Sequence, residues 1–180
     1  MDVRLYRYVA AVCFLGAPAL VSATAGGGVT SGAHTFVDGF SNYRLEATTV
    51  GGFGYGSSNG TRVGGFGLSI SDQADHEDLV GGFGGLIAGQ ELQLGLVTIA
   101  ITSWTGVGGI RARGVPGTGG YFALFEEVAL EVGAAPLPWM QLVGYAGFQL
   151  VGSVLPGVFI SETISYTPSI GLRVVWGSFR

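Results

Sequence analysis

The sequence has no lysine, and charged residues fill only 11% of its 180 positions. The eight basic residues are all arginines, set against twelve acids for a net charge of −4, so no basic patch exists for nucleic acid. Low charge combined with 48% hydrophobic residues excludes a disordered chain, which needs the opposite balance. A single cysteine, Cys13, and two histidines, His34 and His76, leave little material for thiol chemistry or metal ligation. The 34 glycines follow no three-residue period, which excludes a collagen. Long apolar runs are also missing beyond the first 25 residues. The nearest approach, Leu137 to Leu155, is broken by Gln141 and Gln149 and would put Pro138 and several glycines into a membrane helix.

The N-terminus carries its own pattern. Arg4 and Arg7 precede an apolar block from Tyr8 to Val21, and small residues follow as Ser22-Ala23-Thr24-Ala25. The block falls short of the about 20 residues a spanning helix needs. A positive start, a short apolar block and an A-x-A site predict a secretory signal peptide over 1–25, cleaved after Ala25. Ala10-Ala11-Val12 before Cys13 is a poor lipoprotein box. Residues 26–180 then form a single domain without cysteine, exported without disulfides.

Within that domain the periodicity is two. Met140, Leu142, Gly144, Ala146, Phe148 and Leu150 alternate with Gln141, Val143, Tyr145, Gly147 and Gln149, as in a strand with one greasy and one mixed face. Phe122, Leu124, Val128, Leu130 and Val132 share a face interrupted by Glu126, while Tyr121, Phe125, Glu127 and Glu131 share the other. Near the C-terminus Ile170, Leu172, Val174 and Trp176 oppose Arg173.

The pentapeptide Val-Gly-Gly-Phe-Gly begins at Val50, Val63 and Val80. Asn59-Gly60 between the first two copies is a strong hairpin turn, and it places Phe53 opposite Phe66. Further turns over 71–78 and at Gly89-Gln90 extend the row to Phe83 and Leu96. The expectation is a lipid-facing aromatic row of Phe53, Phe66 and Phe83, with Arg44, Glu46, Thr48, Ser69 and Gln93 on the opposite face.

A soluble β-sandwich would carry more charge on its outer faces. A continuous apolar face opposite a small, polar, glycine-diluted one suits an all-β, closed antiparallel transmembrane β-barrel. The chain resembles the small outer-membrane β-barrel proteins of bacteria, in architecture and in the terminal motif Ser169-Ile170-Gly171-Leu172-Arg173-Val174-Val175-Trp176, which fits the barrel-assembly signal of that class. Phe179, the aromatic expected at the end, is penultimate here. The resemblance implies an outer-membrane location, with the lipid bilayer and the barrel-assembly machinery as partners.

Short connections at 57–60, 89–90 and 134–138 alternate with longer ones at 71–78, 103–118 and 152–167, giving eight strands with both termini on the periplasmic side. The count becomes ten if 104–113 and Val158–Tyr166 also span.

No catalytic, cofactor or metal residues are assigned. His34 precedes threonine and not a serine nucleophile, and the acidic loop Asp72, Asp75, His76, Glu77, Asp78 lacks the spacing of a calcium loop. The glycine runs lack the Lys-Ser/Thr of a phosphate cradle. What remains is an interior polar cluster of Arg44, Glu46, Glu127, Glu131 and Arg173, read as an ion-paired plug or the lining of a narrow conduit. The predicted role is structural or surface-interacting. A small pore or a barrel handling lipid or another hydrophobic ligand is the alternative; a secreted glycine-rich β-protein or a membrane-embedded hydrolase is less favoured.

Overall fold

The computed structural model describes residues 24–37, 44–72, 79–112, 121–154 and 164–179. They form eight antiparallel strands: β1 Thr24–Val37, β2 Arg44–Ser58, β3 Thr61–Asp72, β4 Leu79–Leu94, β5 Val97–Ala112, β6 Tyr121–Leu137, β7 Met140–Val154 and β8 Ile164–Gly177. Each pairs with its neighbour in sequence, and β1 pairs with β8 to close a barrel. Following cross-strand partners from Thr24 through Ser57, Arg62, Gly89, Thr102, Ala129, Gly147 and Ser169 returns to β1 at His34. That stagger of ten residues tilts the strands and sets a narrow lumen, since strand number and stagger together fix barrel diameter.

Asn59 and Gly60 both have positive φ, 51° and 78°, and Phe53 pairs with Phe66. This is the hairpin that the sequence predicts. The β4–β5 turn differs: it lies at Gly95-Leu96, not Gly89-Gln90, with Gly95 at φ 63°. Leu92 and Leu94 prolong the alternation, and the chain reverses where a glycine accepts the left-handed backbone. Phe83 is opposite Gly108 and Leu96 sits in the turn; across β3–β4 the register is two residues off the expected one, so Phe83 faces Leu68 and Phe66 faces Gly85. Residues 104–112 belong to β5 and 164–166 open β8, so the strands number eight, not ten; 158–163 lie outside the described residues. The β6 register shifts between Ala134 and Leu137, where Pro136 cannot donate to the ladder.

The pentapeptide repeat explains how the walls are dressed. Valine and phenylalanine stand three apart, so on a strand they point to opposite faces. Val50, Val63 and Val80 are each about half exposed outside, while Phe66 and Phe83 are buried inside. Leu86, Ile101, Leu130, Phe148, Ile170 and Leu172 continue the outer belt.

The expected lipid-facing row is thus corrected: Phe66 and Phe83 belong to the interior core, and Phe53 packs against it. Phe66 lies 5.0 Å from Trp104 and 5.6 Å from Phe125 between ring centroids, and Phe83 lies 5.2 Å from Phe125. Ser69, expected inside, is outside. Inward glycines make room for the rings. A Cβ at Gly106 would come 2.8 Å from the Phe66 ring, and one at Gly171 would come 2.6 Å from Tyr145. The lumen that glycine was expected to leave small and polar is instead filled with aromatic side chains.

Candidate functional site: an ion network inside the barrel

Arg62 follows the β2–β3 turn and shares the inward face of β3 with Phe66 and Ile70. Glu91 reaches the same level because its amide donates to the Gly60 carbonyl at 2.7 Å. Both Nε and Nη2 of Arg62 donate to Glu91 Oε2, at 3.2 and 2.6 Å, and Nη1 donates to Glu131 Oε2 at 2.7 Å. Glu131 Oε1 accepts from Arg173 Nη1 and, at 2.6 Å, from the Thr102 hydroxyl. Arg173 Nη2 then donates to Glu127 Oε1 at 2.7 Å. The result is an alternating chain Glu91–Arg62–Glu131–Arg173–Glu127 drawn from β3, β4, β6 and β8.

Aromatic faces hold the guanidinium planes. Arg62 lies 4.1 Å from the Tyr55 ring centroid, and Arg173 is sandwiched between Trp104 at 4.1 Å and Tyr145 at 3.9 Å. A planar, weakly hydrated guanidinium tolerates this stacking where an ammonium would not, in keeping with a chain that uses only arginine. Arg62, Glu127, Glu131 and Arg173 are each under 5% exposed. Between the two arginines, Trp104 and Val175 no volume remains for a water molecule.

Of the five polar residues singled out in the sequence, Glu127, Glu131 and Arg173 come together here. Arg44 and Glu46 lie on β2, paired with Val37 and Thr35, and their side chains are outside the described residues. So are the side chain of His34 and residues 73–78 of the acidic loop. Arg62 and Glu91 were missed, although a signal existed. By period two, Arg62 shares the face of Phe66 and Glu91 that of Phe83, and a face carrying both charges is an interior face.

Among the described residues, every carboxylate in the network is paired with a guanidinium. Such a network can lock a lumen. A closed eight-stranded meander with an apolar outer belt and a charge-paired interior has the fold of the small outer-membrane β-barrels. Among solved structures, the crystal structure of Neisserial surface protein A is similar at 13% identity and a TM-score of 0.65, covering 88% of this chain and 99% of that one. The attachment invasion locus protein Ail of Yersinia pestis, solved with the heparin analogue sucrose octasulfate, aligns at 13% identity and a TM-score of 0.40, covering 85% and 97%. No family profile and no curated protein matches the sequence. At this identity the likeness establishes the fold.

Proposed function

We propose that the chain is an outer-membrane β-barrel with a structural or surface-interaction role, and not an enzyme. In this reading the N-terminal segment, read as 1–25, directs export and is removed, which takes from β1 its first two residues, Thr24 and Ala25; the barrel-assembly machinery inserts the domain, and the short turns face the periplasm. The observation that carries it is the contrast between the two surfaces of one wall. Outside, a belt of large apolar side chains stands exposed, and Trp139 and Trp176 flank it near the turn end, where aromatic girdles sit at the lipid interface. Inside, rings and ion pairs fill the wall-to-wall space around the two arginines. Filled lumens suit a barrel that acts through its ends and loops. The test is circular dichroism with heat-modifiable gel mobility in detergent, followed by planar-bilayer conductance. A β-spectrum, a heat-dependent mobility shift and no channel steps support the proposal. Discrete conductance steps overturn it in favour of a small pore.

A further inference from the structure

Among the described side chains, Glu126 alone puts a charge on the outer wall; Arg62, Glu91, Glu127, Glu131 and Arg173 all turn into the interior network. It does not sit at the rim. Along β6 its outward neighbours are Leu124 and Phe122 on one side and Val128 and Leu130 on the other, each more than a third exposed. Lipid headgroups lie beyond that belt, and hydrocarbon offers a carboxyl group nothing to bond with. Among the described residues no side chain hydrogen-bonds or ion-pairs with Glu126. An ionisable side chain at such a depth marks a site that something else completes.

The neighbouring strand supplies donors. The register partner of Glu126 on β5 is Thr105, and Ser103 is the adjacent outward position on that strand. Their hydroxyls are 3.4 Å apart, so one hydrogen serves that contact and the other is free. The patch therefore holds an acceptor and two hydroxyls side by side, ringed by Ile101, Val107, Leu124 and Val128.

That pairing decides between occupants. A basic residue of a different protein would satisfy the acid and leave both hydroxyls in hydrocarbon. A second copy of this chain satisfies all three groups. With a two-fold axis along the membrane normal between β5 and β6, the acid of each copy comes opposite the hydroxyls of the other, as a self-complementary interface requires.

We propose that the outer face of β5 and β6 around Glu126 is a homodimer interface in the membrane, where the carboxyl group of each copy accepts hydrogen bonds from Thr105 and Ser103 of the other. The inference rests on the membrane reading above. In lipid, polar contacts of this kind and side-chain packing drive association, because covering apolar surface gains little there.

The absence of lysine leaves the N-terminal amine as the target for amine-reactive dyes. It lies on the side of β1, four strands from β5, and so clear of the interface. Donor- and acceptor-labelled copies of the full chain are mixed in phosphatidylcholine vesicles over a range of protein-to-lipid ratios, and energy transfer is read. Transfer that saturates with the ratio, and is linear in acceptor fraction as for a dimer, is expected. Glu126→Leu, and separately Thr105→Val with Ser103→Ala, should weaken association about tenfold, and combining them should add little. These replacements put apolar groups into lipid, so each variant should keep the heat-dependent mobility shift of a folded barrel. Transfer that neither set of substitutions changes, or that rises without saturating, overturns the proposal. No transfer in the unmutated protein, with its mobility shift intact, also overturns it and leaves Glu126 to a basic group of a different membrane protein. Absence of the mobility shift itself would remove the membrane reading, and the dimer with it.

Discussion

Replacing Glu131 by glutamine attacks the network at its centre. The carboxylate joins Arg62 to Arg173 and accepts from Thr102, so its loss leaves two buried guanidinia facing an amide. At an effective dielectric of about 20, each pair at 4 Å is worth roughly 4 kcal/mol of attraction. Desolvation of both partners offsets much of that gross figure. Arg62 keeps Glu91 and Arg173 keeps Glu127, so neither guanidinium is wholly orphaned, and the net cost falls at the low end of the about 3–5 kcal/mol that removing one partner from a buried pair carries. Thr167→Val, a buried inward position outside this chain of pairs, provides a control for general interior disturbance. The assay is urea unfolding in lipid vesicles, followed by tryptophan fluorescence; Trp104 lies against Arg173 and reports on the network directly. A shift under 1 kcal/mol for Glu131→Gln would refute the reasoning. It would mean that water reaches and screens these charges, and that the lumen is a wet conduit.

Other substitutions test the inside–outside assignment and the closure. Leu86→Arg places a charge on the outer belt at the middle of β4 and should cost about 2–4 kcal/mol, whereas Val63→Arg, beside the β2–β3 turn, should cost about 1 kcal/mol or less. Phe66→Ala empties part of the aromatic core and should cost about 3–5 kcal/mol in urea titrations, irrespective of bilayer thickness. Equal folding of Leu86→Arg and wild type in vesicles would invert the faces. Cysteines at Ala33 and Ile170, register partners on the outer wall of β1 and β8, should form a disulfide that alters gel mobility; no cross-link would argue against closure through β1. Edman sequencing of membrane-extracted protein should begin at Gly26, and a chain still starting at Met1 would remove the signal-peptide reading.

Much of the fold is legible in the residues because strand periodicity is local. On β7 and β8 each strand has one face that a bilayer accepts and one carrying Gln or Arg that it does not, so alternation also says which face is inside; on β6 the same contrast holds apart from Glu126, which interrupts the outer face. Asn59-Gly60 sets a hairpin register by turn chemistry alone. The β4–β5 turn was less legible, since both Gly89 and Gly95 can end a strand and only pairing with β5 selects between them.

On β2, β3 and β4 the sequence by itself determined that Val and Phe stand on opposite faces, but its charges point both ways: Arg62 and Glu91 share the Phe face, whereas Arg44 and Glu46 share the Val face. Valine with glycine and phenylalanine with isoleucine are both acceptable to lipid. Closure made the choice: a narrow lumen with inward glycines on β5 and β8 has room for rings, and Arg62 and Glu91 travel inward with them. The network itself exists only in the tertiary structure. Arg62 and Glu131 are 69 residues apart, on strands that do not pair, and they meet because the ten-residue stagger brings their inward faces to one level.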